Sequence, residues 1–258
     1  MSPPATDVLV REPFRVEREH LAIELEGARA LFTTRRGGFS RGAYESLNLG
    51  RWTDDEPAAV ERNRESLQRA HGVGFAYGRQ VHGTRVRTVD AATEDGATPE
   101  EADGHATARP GVAVMVLTAD CLPVAIAGRG AVAMLHAGWR GLAGGVITEG
   151  IRALDRLGAR PPFAAAIGPG AGPCCYEVGD EVRAAFTAEA PQIRRGRNLD
   201  LKAVARRQLQ RAGVAQIHDA GLCTICSDPS LFYSHRRDHG VTGRQAGLAW
   251  LSGSGWHG

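Results

Sequence analysis

Three apolar runs stand almost end to end in the middle of the chain: VAVMVLT over 112–118, PVAIAG over 123–128 and AVAMLHA over 131–137. Uninterrupted apolar segments of this length are the pattern of strands covered on both faces, so they predict the heart of the core. Before them, LAIELEG and ARALFTTR (21–35) read as a hairpin turning at Glu26-Gly27. The stretch from Thr53 to Pro57 supplies a cap and first turn for a helix running to about Ala70, and 75–90 alternates as strands. Polar residues 91–103 predict a surface loop. Beyond the apolar runs, Val146, Ile147, Ile151, Leu154 and Leu157 are spaced for a helix over 142–158, with Gly158 as its stop. FAAAIG (163–168) predicts a strand, 178–190 a helix, 199–214 a helix capped by Asp200 and ended by Gly213, and 215–221 a further strand.

Helices and strands interleave without strict alternation, which favours a mixed-sheet α/β or α+β architecture over a doubly wound one. Neither an internal repeat nor a long linker divides the chain, so its 258 residues are expected to form a single domain. The formal charge of +2 argues against a nucleic-acid protein. All but one of the 31 basic residues are Arg, the exception being Lys202; this skew reads mainly as a replacement of Lys throughout the chain. No apolar run approaches the roughly 20 residues of a membrane span, and residues 1–20 lack the pattern of a secretory leader, so the cytoplasm is the expected location. Long apolar strands without exposed stripes are consistent with a monomer. Five Cys is an odd number in such a chain and invites a metal or catalytic explanation rather than a disulfide framework.

Three segments combine strong ligands with glycine: GRQVHGT with His82, LTADCLP with Asp120 and Cys121, and MLHAGWRGLAGG with His136 and Arg140. Two imidazoles and a thiolate suit Zn²⁺, and three protein ligands are the pattern of a catalytic site. Separations of 39 and 15 residues match no short zinc signature, so a satisfied core Cys and core His remain open alternatives on spacing alone. Glycines 138, 141, 144 and 145 at the passage from strand to helix would let backbone N–H groups face an anion, with Arg140 as a phosphate fork or a surface ion-pair partner. A rival constellation is Cys174-Cys175 with Cys223 and Cys226. Four sulfurs could hold a structural zinc, but the adjacent pair is poor geometry for two ligands and the partner CxxC is single, so burial as thiols or one disulfide is the stronger expectation.

A series of motifs runs in order along the chain: FTTRRGGFS, LNLG, Asn63-Arg64, QVHG, EADG, TADC, HAGWRG, IGPGAGPCCYEV, Asp200-Leu201, Cys223-Thr224, FYSHRRD and TGRQA. Together they resemble the multicopper polyphenol oxidase (laccase-like) family, better described as a purine nucleoside phosphorylase and adenosine deaminase family, over about residues 28–251, with 1–20 as an N-terminal extension. The resemblance implies an α/β/β/α sandwich, metal ligation by His82, Cys121 and His136, and zinc in preference to copper. It implies phosphorolysis of adenosine, inosine, guanosine or methylthioadenosine and deamination of adenosine; some bacterial members are linked to peptidoglycan precursor editing. Asp120 is the candidate to orient a ligand or move a proton, and Arg35, Asn48, Arg140 and Arg244 are candidates to hold substrate or phosphate. Cys174 departs from the family pattern, which commonly has only the second cysteine of the pair.

Other functions compete with this one. A copper oxidase of phenols would need a multinuclear cluster, and no His-x-His pair is present to build it. Cys121 activated by His136 would make a cysteine hydrolase, and a non-catalytic binding module is the remaining alternative.

Overall fold

The computed structural model describes residues 10–94, 97–187 and 193–252. In chain order these form strands β1 (Arg15–Glu17), β2 (His20–Leu25) and β3 (Ala28–Phe32), helix α1 (Pro57–His71), and strands β4 (Gly74–Ala76), β5 (Val86–Thr88), β6 (Gly104–Thr107), β7 (Val112–Thr118), β8 (Leu122–Arg129) and β9 (Ala131–Ala137). Then come α2 (Trp139–Gly144), α3 (Val146–Arg156), β10 (Arg160–Ile167), α4 (Asp180–Ala185), β11 (Arg194–Arg195), β12 (Asn198–Leu199), α5 (Leu201–Arg211), β13 (Gln216–Asp219) and β14 (Gln245–Leu251). Two six-stranded sheets result, ordered β1-β2-β3-β14-β7-β4 and β13-β10-β8-β9-β6-β5. Both are mixed, because β4 pairs with β7, β5 with β6 and β10 with β13 in parallel while the other neighbours run antiparallel.

The pleat sorts side chains into layers. Along β7, Val112, Val114 and Val116 face the second sheet, meeting Ala125, Ala127, Val132, Met134 and Ala166. Their neighbours Ala113 and Met115 face the other way, onto Leu67 of α1. On the far side of the second sheet, Val124, Ile126 and Leu135 pack against Ile147 and Leu154 of α3 and Val204 and Leu209 of α5. The order is therefore helix, sheet, sheet, helices: the expected α/β/β/α sandwich, in which the central strands β7, β8 and β9 are apolar along most of their length because both faces are covered.

Several elements differ from the sequence reading. Residues 75–90 form strands only at 74–76 and 86–88; the stretch between them is a loop, clamped to β7 by Gln80, whose side chain donates to the Leu117 carbonyl (2.8 Å) and accepts from the Leu117 amide (2.7 Å). Helix α1 has no side-chain cap from the Thr53–Glu56 stretch and ends at His71, one residue past Ala70, with Gly72 at φ +64° closing it. The single helix expected over 142–158 is two, starting at Trp139 and broken at Gly145, whose φ of +95° suits only a residue without a Cβ. Helix α4 covers only Asp180–Ala185, and 188–190 lie outside the described residues. Helix α5 is capped as its sequence predicts, the Asp200 carboxylate accepting from the Ala203 amide at 3.0 Å. Strand β14 went unread, although it occupies the middle of the first sheet between β3 and β7.

Two histidines are held neutral in this core. Burial pushes His20 down to about 4, further lowered by nearby His71, and burial pushes His105 down to about 3. Neither ring nitrogen of His105 has a hydrogen-bond partner among the described residues. Between about pH 6.5 and these lowered values the unfolded chain takes up protons that the folded chain refuses, so stability falls as pH falls. By pH 5 the loss is about 2 kcal/mol per histidine, from about 1.4 kcal/mol per pH unit. Denaturant midpoints measured at pH 7 and pH 5 should show this drop, and a His105→Leu chain should show about half of it; a flat wild-type profile contradicts the assignment.

Candidate metal centre

Three elements converge at one end of the inter-sheet space. His136 lies on β9 at the same parity as Val132 and Met134, which turns its ring toward the first sheet. Cys121 sits in the tight turn from β7 into β8 and is half-buried. His82 comes from the loop after β4, at φ +59°, and is exposed. The two imidazole centroids are 4.9 Å apart and the ligand atoms of all three side chains lie within 4.8 Å of one another. The trio expected from the sequence is thus a physical cluster, with His82 delivered by a loop rather than by a strand.

Asp103, immediately before β6, organises this cluster. Its side chain accepts hydrogen bonds from the amides of Val81 (3.1 Å), His82 (2.9 Å) and Gly83 (2.7 Å), and Oδ1 lies 2.8 Å from His136 Nδ1. Its backbone carbonyl accepts from the His136 amide at 2.7 Å. One carboxylate therefore fixes the His82 loop and the His136 ring together, leaving His136 Nε2 facing Cys121. Carboxylate partners of this kind set the tautomer and orientation of ligating histidines. Burial would raise the Asp103 carboxyl, but the bonds from His136, Gly83 and Val81 hold it below the usual range. The sequence reading gave the orienting role to Asp120; Asp103, inside the EADG motif, takes it instead.

The charges in the trio reinforce one another. Burial works to raise the Cys121 thiol, yet His136 and His82 bring it down to about 6. Burial works to lower His136, yet Cys121 and Asp103 push it up to about 9. The sulfur is accordingly a thiolate at neutral pH, and two imidazoles with a thiolate fit a borderline-soft divalent ion such as Zn²⁺. Space is held open by glycine: a Cβ on Gly138 would stand 2.9 Å from Cys121 Sγ and 3.5 Å from His82 Cδ2.

A pocket of about 410 Å³ opens over the trio, within the usual range of small-molecule sites. Arg140, Arg236 and Arg244 line it together with Trp52, Trp139 and Tyr176. Arg140 stacks on Trp139 at 4.3 Å and lies 3.8 Å from Glu181. Arg236 stacks on Tyr176 at 4.8 Å. Arg244 donates to the Thr242 and Gly243 carbonyls, both at 2.9 Å. Burial and the negative charge of Cys121 push the Tyr176 phenol up to about 12, so it remains an O–H donor at neutral pH. Trp52 is 58% exposed, a large apolar ring left mostly uncovered at the mouth.

Two expected substrate residues lie elsewhere. Arg35 does not line the pocket: its guanidinium stacks on Tyr233 (4.4 Å) and donates to the carbonyls of Glu45, Pro229 (3.1 Å) and Ala43 (3.4 Å). Asn48 is fully buried beneath the pocket, its Oδ1 accepting from the amides of Arg244 (2.8 Å) and Gly50 (3.0 Å). It places Arg244 rather than touching the cavity. Asp120 lines the pocket at φ +97°, with Oδ1 accepting from the Thr224 hydroxyl (2.7 Å) and Oδ2 from the Arg236 amide (2.8 Å). A non-glycine residue at such a φ marks a site where surrounding bonds impose a strained backbone. Arg236 and Tyr176, which line the pocket, were not singled out from the sequence; their signal was FYSHRRD and CCYEV, motifs that carried no role until the fold brought them to one wall.

A two-sheet α/β sandwich with a His₂Cys cluster at the floor of a cationic, aromatic-lined pocket defines the class of protein. The match to a known family is direct: residues 29–252 fit the multi-copper polyphenol oxidoreductase laccase family, and the chain belongs to it. Among its relatives is a purine nucleoside phosphorylase of Pseudomonas aeruginosa, 42% identical over 234 residues, covering 86% of this chain and 93% of that protein. Another, the purine nucleoside phosphorylase YfiH of Shigella flexneri, is 38% identical over 88% of this chain and 95% of its own length. YlmD from Geobacillus stearothermophilus has a solved structure that superposes with a TM-score of 0.84 at 35% identity, over 92% of this chain and 98% of that one. A Neisseria meningitidis protein superposes at 0.80 with 41% identity, over 92% of this chain and all of its own. None of the described helices is long and apolar enough to cross a membrane.

Proposed function

We propose that this protein is a zinc-dependent purine nucleoside enzyme that cleaves adenosine, inosine, guanosine or methylthioadenosine with phosphate and deaminates adenosine with water. The observation that carries the reading is the trio of His82, Cys121 and His136 at the base of a pocket lined by three arginines and three aromatic rings. It is supported by relatives bearing the name purine nucleoside phosphorylase. His82, Cys121 and His136 would hold the ion, which supplies Lewis acidity and an acidified water when bound. Trp52, Trp139 and Tyr176 offer faces and an O–H edge to a purine. Arg140, Arg236 and Arg244 bring positive charge to a phosphate, which planar guanidinium groups engage through paired N–H donors. In phosphorolysis a phosphate oxygen bonds to the ribose carbon as the carbon–nitrogen bond breaks, and the base leaves with the electron pair; cationic walls stabilise the phosphate's charge throughout. Asp120, both oxygens engaged, acts by placing Arg236.

Copper oxidation of phenols is not favoured by the ligand sets. Among the described residues the groups able to hold an ion are this trio and one set of four thiols, whereas oxygen-reducing multinuclear copper needs many histidines. A second reading does draw on an observation: Asp103 is hydrogen-bonded to His136, whose ring stands within 4.8 Å of the Cys121 sulfur, the arrangement of a cysteine nucleophile with its base and orienting acid. His82 separates the two, because a metal site needs it and such a triad does not.

The deciding assay incubates zinc-loaded protein with inosine and phosphate, and separately with adenosine with and without phosphate, and identifies the products. Hypoxanthine with ribose 1-phosphate, or adenine, establishes phosphorolysis; inosine with ammonia establishes deamination. No product from either nucleoside overturns the reading.

A further inference from the structure

The remaining four cysteines are not scattered. Cys174 and Cys175 occupy the turn before α4, and Cys223 and Cys226 the loop after β13, yet the four sulfurs all lie within 4.8 Å of one another. Cys174 Sγ and Cys226 Sγ are 3.4 Å apart. No disulfide joins them, and with Cys174 and Cys226 exposed and Cys175 half-buried, the expected burial as thiols holds for Cys223 alone. The objection that adjacent cysteines point apart fails here, because the turn over 172–176 curls both side chains to one side.

We propose that Cys174, Cys175, Cys223 and Cys226 form a second metal centre, a closed four-thiolate site for Zn²⁺ that acts structurally. Tetrahedral Zn–S bonds of about 2.3 Å set sulfurs roughly 3.8 Å apart, a spacing these four reach by small side-chain rotations. The surroundings are built for a sulfur anion. Cys223 Sγ accepts from the Gly172 amide at 3.2 Å. A backbone N–H aimed at a sulfur suits a thiolate, since a thiol accepts only weakly. Lys202, the chain's single lysine, is buried beside this loop; its Nζ donates to the Leu222 carbonyl at 2.6 Å and sits 3.6 Å from Asp219. A cation there offsets the net negative charge of a divalent ion with four thiolates.

The centre would staple two loops that form one wall of the pocket. Gly170 and Cys223 already pair, with the Thr224 amide donating to the Gly170 carbonyl at 3.2 Å. The first loop leads to Tyr176, and Thr224 on the second bonds Asp120. The site is closed by four protein ligands and so leaves no position for substrate.

A Cys121→Ala chain, which breaks the trio and leaves the four cysteines untouched, tests this directly. Purified under reducing conditions, it is expected to retain one zinc per chain against two in the wild type, and to lose that zinc when Cys226→Ser is added. Cobalt substituted into the Cys121→Ala chain should give the intense visible and sulfur-to-metal bands of a four-thiolate tetrahedron. If wild type and Cys121→Ala both hold a single zinc, this centre stands and the trio is the site that is not loaded. A folded Cys121→Ala chain with no zinc and no cobalt bands overturns the proposal, as does a zinc content of that chain left unchanged when Cys226→Ser is added.

Discussion

A His82→Ala chain is expected to lose metal affinity at the trio by more than about 100-fold, beyond the upper end of what loss of an outer partner costs, and to lose turnover of inosine and phosphate with it. Its stability should barely change. His82 is exposed, and the backbone N–H that Asp103 holds at 2.9 Å remains in the variant. The left-handed backbone at φ +59° is strained for histidine and alanine alike, so the substitution adds at most about 1 kcal/mol, or about 2–4 °C in melting temperature at this size. Folding and function are therefore separable at this position, and zinc counting with a product assay reads both. Retained turnover in a metal-poor His82→Ala chain would sink the metal reading and promote the cysteine-nucleophile one.

Asp103→Asn should have the second largest effect, and of a different kind. The carboxylate satisfies three loop amides and the His136 ring at once, whereas an asparagine has one acceptor oxygen and turns a donor toward the others. Leaving buried N–H groups unpaired and removing the charge opposite His136 costs on the order of 3 kcal/mol, or roughly 6–12 °C in melting temperature. Metal affinity should fall 10- to 100-fold because the His82 loop and the His136 ring lose their common anchor. Calorimetry and chelator competition on the same sample check the pair of effects; wild-type metal affinity in a destabilised chain would show that Asp103 holds the loop without preparing the ligands.

Much of this protein could be read without coordinates. The runs at 112–118 and 131–137 are β7 and β9 to the residue, and Asp200 caps α5 as its position before an apolar-periodic stretch predicts. These features are local, since burial on both faces or a side chain reaching its own helix start leaves its mark within a few residues. The members of the His82–Cys121–His136 cluster were legible too, because imidazole and thiolate are rare enough to be noticed beside glycine at strand ends. Gly138, read from sequence as part of a strand-to-helix passage that could face an anion, is the position where a Cβ would press on Cys121.

What the sequence by itself determined, then, was the sandwich, its central strands and the residue types of the trio. Tertiary structure decided the rest, for a consistent reason: contacts over long separations depend on which strands pair, and no local pattern encodes that. Asp103 and His136 meet because β6 lies beside β9, with Gly104 opposite Leu135. Asp120 meets Thr224, 104 residues on, only because two loops cross the same pocket wall. Arg35 and Asn48 sit in well-marked motifs, yet the fold spends Arg35 on carbonyls at a half-buried position and Asn48 on amides in the interior. The four cysteines, unpromising as two separated pairs, become one cluster when the β10 and β13 strands run in parallel and bring their following loops together.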